Sequence, residues 1–349
     1  MKIQQQSKPA ERKPQSEFYV RCPFGLEKAV ASEIAAMGIK GARPLSGGVA
    51  FFGDLEKGYR ACLWLRSASR VLLVLGRFSA RNADELYGGA RAIAWETHLT
   101  PESTFAVYAR GTNDELRNTQ FTALRVKDAL CDCFVELAGK RPNVATDRPD
   151  IRVELSLRGN KATLYLDLSG EPLHRREYRR PGVQGEAPLK ENLAAGILLM
   201  SGWKAAGAER RFQRFSGAPQ SAKDPVAGRE KGSDSQHAAQ RSGTASQVVA
   251  QRPDTALQDA ASPTLLFDPI CGSGTLVLEA ACMTFDRAPG LTRDYWGFNG
   301  WLGHDQAIWD ELLDEADRRF EAALAGGLER GAASSDQTDD TADNSHQVA

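Results

Sequence analysis

Apolar positions along the chain alternate between a period near two and a period near 3.6, and the switches mark its elements. Phe18 to Cys22 has a strand's pattern, and Leu26, Val30, Ile34 and Met37 then recur at helical spacing. "GGVAFFGD" predicts a short strand closed by Gly53. Leu55, Tyr59, Cys62 and Leu63 predict a helix, and Val71–Leu75 a strand after it. The β-α-β-α-β order predicts a small α/β unit over 17–78.

A second α/β unit is expected over 79–170. "ADELYGGARAIAW" predicts a helix and "TFAVYARG" a strand. "FTALRVKDALCDCFVELAG" predicts an amphipathic helix with Leu124, Ala129, Leu130, Phe134 and Leu137 on one side. Ile151, Val153, Leu155 and Leu157 alternate up to a Gly-Asn turn, and Leu164, Leu166 and Leu168 alternate after it, which predicts a hairpin. A basic connector and a helix opened by Pro188 follow over 171–203. Residues 263–327 carry an apolar run, a glycine turn, a helix-like run, an aromatic loop and one more helix. Residues 1–16, 204–262 and 328–349 hold too few apolar side chains to offset their ordering entropy, and each is expected to be disordered.

Charge narrows the partners. The chain has 349 residues, with 44 basic against 45 acidic side chains. Any nucleic-acid contact therefore depends on local patches. No run approaches the ~18 apolar residues of a membrane span. The polar N-terminus has no secretory pattern, and six cysteines scattered through a long chain fit reduced thiols, so a cytoplasmic location without membrane partners is expected.

The sharpest motif is "LLFDPICGSGTLVLEAAC", Leu265 to Cys282. An apolar run ending in Asp268, two close glycines and an apolar helix predict a strand, turn and helix that hold a nucleotide-like ligand. Gly272 and Gly274 allow close backbone approach, and the following helix offers N–H groups to an anion. It is no P-loop, since no Gly-Lys-Ser/Thr follows, and Leu276 and Val277 break G-x-G-x-x-G. The structural alternative is a tightly packed strand-to-helix turn.

"FDPICGSGTLVLEAA" resembles the S-adenosylmethionine motif D-P-x-C-G-S-G-T of RNA guanine-N2 methyltransferases. "APLKENLAAGILLMSGW" and "DRAPGLTRDYWGFNGWLGHDQAIWDELLDEA" resemble the segments before and after it. "SGGVAFFGD", "RNTQFTALRVKDALCDCF" and "RPNVATDRPDIRVELSLRGNKATLYLDLSGEPLHRREYR" resemble a ferredoxin-like unit and a THUMP RNA-binding region. The resemblance, over 17–203 and 263–325, is to bacterial L-type methyltransferases of large-subunit ribosomal RNA. It implies a ferredoxin-like plus THUMP region leading into a Rossmann-like domain. It also implies S-adenosylmethionine at Asp268, Pro269, Cys271, Gly272, Gly274 and Thr275, with Pro188, Lys190, Glu191 and Asn192 at the adjoining helix start. Cys271 is then a packing residue.

Two parts of the family pattern are missing. No second strand ends in an acid for the cofactor ribose, because Asp286 lies in "MTFDRAPG" with no apolar strand before it. No Asn-Pro-Pro motif occurs, so no catalytic residue is assigned. The insertion 204–262 is foreign to the pattern, though loop-closure entropy makes it tolerable.

Arg117, Arg125 and Lys127, with Arg175, Arg176, Tyr178, Arg179 and Arg180 of "HRREYRR", are the candidate RNA contacts. Their alternatives are a wet helix face and a solvated linker. Cys131 and Cys133 lack further ligands at metal spacing, and no metal is expected. His304 beside Asp305 is expected to be a polar loop contact, and Trp296, Trp301 and Trp309 to pack a loop. The reading is an N-terminal portion of an S-adenosylmethionine-dependent guanine-N2 methyltransferase of large-subunit ribosomal RNA, split or truncated within its catalytic domain and inactive alone. A downstream polypeptide is then the completing partner. The rivals are a non-catalytic THUMP-type RNA-binding protein with a relic segment and, less well matched, a nucleotide-dependent oxidoreductase.

Overall fold

The computed structural model describes residues 15–176, 178, 188–203, 266–269 and 271–339, with side chains up to 327. The expected insertion 204–262, nearly all of the N-terminal tail and the last ten residues lie outside the described residues.

Among the described residues eight strands form one sheet in the order β2-β3-β1-β4-β8-β7-β5-β6. They are β1 (Ser16–Arg21), β2 (Arg43–Leu45), β3 (Gly48–Gly53), β4 (Arg70–Ser79), β5 (Thr104–Arg110), β6 (Asn143–Val144), β7 (Ile151–Arg158) and β8 (Lys161–Asp167). Helices α1 (Glu27–Ala36), α2 (Leu55–Trp64), α3 (Ala83–Arg91) and α4 (Thr119–Ala138) connect them. The two α/β units expected from the sequence share this one sheet, because β4 pairs antiparallel with β8 from Leu72↔Asp167 to Ser79↔Lys161. Pattern reading has no access to that pairing, which joins residues far apart in sequence. The β7–β8 hairpin forms as expected, and β5 pairs parallel with both β7 and β6.

Side-chain caps start the helices where the sequence offers them. Asp54 accepts from the Lys57 amide, Asn82 from Asp84 and Glu85, and Asn118 from Gln120 and Phe121. Each satisfies donors that a helix start leaves unpaired and contributes about 1 kcal/mol. On α4 the buried stripe is Thr122, Val126, Ala129, Leu130, Cys133 and Phe134. Leu124 and Leu137, expected on the buried side, are instead 48% and 64% exposed. Val126 and Cys133 place the helix's seam beside the axis drawn from the leucines.

One face of the sheet carries the main core, which includes Phe18, Val71, Leu155 and Leu166 from strands with Val30, Tyr59, Leu86 and Val126 from helices. The second cluster consists of strand residues, Tyr19, Ala50, Leu72 and Tyr165, with Leu45 and Val74 beside them. Near it lies a buried polar group. Arg70 pairs with Asp167, Arg21 Nη2 donates to Glu154 Oε2 at 2.5 Å, and Arg152 Nε lies 3.3 Å from Asp167. Burial carries Asp167 up to about 6, against the pull of Arg70. Burial also pushes Glu154 up, but Arg21, Arg70 and Arg110 outweigh it and hold that carboxyl low.

Three further helices are α5 (Glu191–Met200), α6 (Thr275–Thr284) and α7 (Gln306–Asp339). The last corrects the expectation that order ends near Leu328, since helical backbone runs on through "ERGAASSDQTD". No proline interrupts it, and its alanines favour helix enough to carry it past Gly326 and Gly327. Between α6 and α7 an aromatic loop docks on the core. Phe298 lies 4.5 Å from Tyr59, 5.0 Å from Trp309 and 5.7 Å from Trp296, centroid to centroid. The expected packing of the tryptophans is observed, and Gly297 is required where the loop meets the Asp167 carbonyl and Gly170.

Candidate functional site

The glycine turn heads α6. Gly274 is the N-cap residue with φ +72°, and Gly272 has φ +50°, so both sit in left-handed backbone that favours glycine. Among the described residues a Cβ at either position would meet nothing within 4 Å, so these leave the side of the turn open. Cys271 is exposed on this turn, so the packing role expected for it is corrected. Asp268 is half-buried and Pro269 exposed just before it. Over the described part of the strand expected there, 266–269 belong to no ladder, and Phe267 is 81% exposed. A strand needs a neighbour's backbone groups, and none of the described residues supplies them here.

Thr275 is buried, and its hydroxyl donates to the Leu189 carbonyl at 3.4 Å. This bond brings the turn to the start of α5. Pro188 does not open that helix; Lys190 is its N-cap residue, and Pro188 precedes the cap by two positions. Pro188 is half-buried and Lys190 exposed, whereas Glu191 and Asn192 are buried. Asn192 Nδ2 donates to the Ser69 hydroxyl at 3.1 Å and the Ala68 carbonyl at 3.4 Å, so it fastens α5 to the loop before β4. Asp286, at a suggestive distance along the chain for a ribose acid, accepts from Arg319 at 2.8 and 2.9 Å. It follows a helix and does not end a strand.

Behind the turn lies a buried ion pair. Arg176 is 2% exposed, and its guanidinium donates to Glu279 of α6 and to the Arg66 carbonyl. The Tyr178 hydroxyl donates to the other Glu279 oxygen at 2.7 Å, and burial with the adjacent carboxylate pushes its pKa far up. Thr292 Oγ1 donates to the Arg176 carbonyl at 2.5 Å. The expectation that Arg176 and Tyr178 touch RNA is thereby corrected: both face inward and lock α6 to the connector. A buried guanidinium needs a buried carboxylate, and Glu279 in an otherwise apolar helix was the sequence signal for it.

The other RNA candidates lie apart. Arg125 ion-pairs with Asp84 at 3.2 Å and sits over the Tyr87 ring, Lys127 pairs with Asp128 at 2.8 Å, and Arg117 Nε donates to the Asp114 carbonyl at 2.6 Å. Arg175 is exposed and pairs with Glu171 at 2.7 Å. Arg179 and Arg180 lie outside the described residues. Among the described residues no cluster of potential metal ligands forms, Cys131 and Cys133 included, and no helix is long and apolar enough to cross a membrane. His304 Nε2 donates to Gln306 Oε1, so in the neutral ring Nδ1 accepts from the Tyr59 hydroxyl at 2.5 Å, and that hydroxyl accepts from the Asp305 N–H. His304 is thus a loop contact, as expected.

Sheet, connector and glycine turn together define a THUMP-type region joined to a methyltransferase-type segment. Residues 17–72 match the model of the RlmL ferredoxin-like domain, 80–167 the THUMP domain, and 256–339 the RMKL-like methyltransferase domain. The chain is homologous to the ribosomal RNA large subunit methyltransferases K/L. It is 43% identical to that of Syntrophotalea carbinolica over 88% of this chain, and 40% identical to that of a Marinomonas species over 86%. It spans about a third of each relative, 35% and 34%. Among solved structures, it superposes on a "predicted N6-adenine-specific DNA methylase" from Listeria monocytogenes with TM-score 0.63 and 26% identity, covering 88% of this chain and 64% of that one. A putative methyltransferase, SMU.472, complexed with SAH gives 0.62 and 26%, covering 88% and 66%.

Proposed function

We propose that this chain supplies the RNA-capturing region and the cofactor turn of an S-adenosylmethionine-dependent methyltransferase that modifies a guanine N2 amine of large-subunit ribosomal RNA in the cytoplasm. The observation that carries this is the packing of the THUMP-matched sheet and the open glycine turn into one unit through Arg176 and Glu279. The residues present fit the cofactor in part. Gly272 and Gly274 leave room for it, the first amides of α6 suit a carboxylate, and Asp268 stands at the approach. Thr275 and Asn192 act one step back, holding the turn and α5 in place. Asp286 does not fit as a ribose acid, because Arg319 holds it.

Bound S-adenosylmethionine supplies an electrophilic methyl on a sulfonium. The guanine amine is conjugated into its ring and is a poor nucleophile, so the protein's task is positioning, on a base taken out of its stack. The 349 residues contain no Asn-Pro-Pro-Tyr-type loop to orient that amine. The chain alone is therefore expected to bind the cofactor weakly and to transfer no methyl group, with a second polypeptide completing the site. The test is purified chain with labelled cofactor and protein-free large-subunit ribosomal RNA. Label in guanine above a Gly272→Arg control refutes inactivity, and label appearing only with a downstream polypeptide supports the completed enzyme.

The exposure of Phe267, Val277 and Leu278 around the turn favours a second reading, a THUMP-type RNA-binding protein without catalysis. RNA binding with no methylation under any complementation favours it.

A further inference from the structure

Sheet register gathers positive charge on the face opposite the main core. Side chains on a strand alternate, so the partners of Tyr19, Leu72 and Tyr165 share their face. By register this face carries Arg43 of β2, Arg77 of β4, Arg110 of β5, Arg158 of β7 and Lys161 of β8, besides Arg21, Arg70 and Arg152. The acids on it are Glu154 and Asp167, both buried under arginines, and Glu17, which Arg77 holds at 2.5 Å. A chain with a net charge of -1 has concentrated eight cations against three carboxylates on one side of its sheet. Among the described residues the apolar cluster on this face contains strand residues and no helix.

The cations at its exposed end are not absorbed by internal pairs. Arg110 is 61% exposed and lies 3.9 Å from Glu154, a carboxylate already engaged by Arg21 at 2.5 Å. Repulsion from Arg21 is the largest influence on Arg110 and lowers its pKa. Arg158 and Lys161 face each other across the hairpin, both exposed. Among the described residues Arg158 donates to neutral oxygens, the Tyr19 hydroxyl and the Ser46 carbonyl, at 3.4 and 3.2 Å. Like charges on neighbouring strands destabilise a sheet unless an anion comes between them. Same-face cations recur about 6.6 Å along a strand and about 4.8 Å across it, a grid for a polyanion and not for one small ion. The tyrosines give no free stacking platform: Tyr19 and Tyr165 are buried, and the Arg152 guanidinium lies 3.7 Å from the Tyr108 centroid.

We infer that the exposed end of this sheet face, through Arg110, Arg158 and Lys161, receives the phosphate backbone of the RNA. The inference rests on the RNA-binding reading above and moves the contact from α4 and the connector to the other side of the sheet.

The test is filter binding of in vitro transcribed, protein-free large-subunit ribosomal RNA to the full chain between 50 and 200 mM KCl. The triple variant Arg110→Ala/Arg158→Ala/Lys161→Ala is compared with an α4 triple, Arg125→Ala and Lys127→Ala on that helix with Arg117→Ala just before its cap. The sheet triple is expected to lose roughly 10–100-fold in affinity, and its log–log salt slope to flatten by about 2, while the α4 triple stays within about twofold. Should the sheet triple melt early, Arg110→Glu alone, at an exposed position, is expected to weaken binding at least ~5-fold. An unchanged sheet variant beside a weakened α4 variant overturns the assignment and leaves RNA binding standing. Equal loss in both triples also overturns it. Tighter binding of anionic phosphatidylglycerol vesicles through the same three residues assigns the face to a membrane instead. Absence of RNA binding by the unmodified chain overturns this inference and the RNA reading together.

Discussion

Arg176 and Glu279 stand 103 positions apart in the chain and form a buried ion pair at 2% and 0% exposure. The pair ties the connector after the sheet to the helix that begins at the glycine turn. Its energetics follow from desolvation. Removing one partner strands the other charge in a low-dielectric interior, and Glu279→Ala or Arg176→Ala is expected to cost about 3–5 kcal/mol in urea unfolding. The double replacement Arg176→Met/Glu279→Leu is expected to cost less than the worse single. A double change that costs the sum of the two singles shows that the charges do not interact.

Tyr59 joins α2 to the aromatic loop by accepting the Asp305 amide proton at 3.1 Å and donating to His304. Tyr59→Phe takes this partner from the part-buried Asp305 N–H and from a His304 ring nitrogen and is expected to cost about 1 kcal/mol. Trp309→Ala, which opens a cavity beside Phe298, is expected to cost about 3–5 kcal/mol. Denaturant midpoints at constant m-value measure both.

The seam of α4 is testable by contrast. Leu130 is fully buried and Leu124 is 48% exposed. Leu130→Ala is expected to lose about 2–5 kcal/mol, whereas Leu124→Gln stays within about 0.5 kcal/mol. Comparable losses at both positions place the buried stripe elsewhere.

Burial, with Lys190, Arg175, Arg176 and Arg70 nearby, lowers the His174 pKa to about 4. The folded state thus holds a neutral imidazole where the unfolded chain takes a proton near 6.5. Its contribution to stability is complete above about 6.5, and it falls as pH drops from there towards about 4. His174→Gln is expected to flatten the decline of melting temperature across that window. An unaltered pH profile removes His174 from the acid response.

At Gly272 a Cβ meets no atom of the described residues within 4 Å but inherits φ +50°. Gly272→Ala is expected to cost only about 1–2 kcal/mol of backbone strain while weakening S-adenosylmethionine binding. Calorimetric titration of the chain, alone and with a completing polypeptide, measures the second effect. Unaltered affinity dissociates the turn from the cofactor.

Local chemistry determined much of this protein in advance. Alternation in Ile151–Leu157 and Leu164–Leu168 predicted the hairpin, and the spacing of Val30 and Ile34 predicted α1, because side-chain period and backbone geometry are tied within each segment. "DPICGSGT" marked the glycine turn, because left-handed backbone selects glycine from the residue up. Only the tertiary structure decided the rest. Leu72↔Asp167 merged two expected units into one sheet, Glu279 drew Arg176 and Tyr178 inward, and among the described residues no strand pairs with 266–269, which stay outside any ladder. These outcomes turn on which distant group desolvates beside which, a quantity that no local pattern of residues encodes.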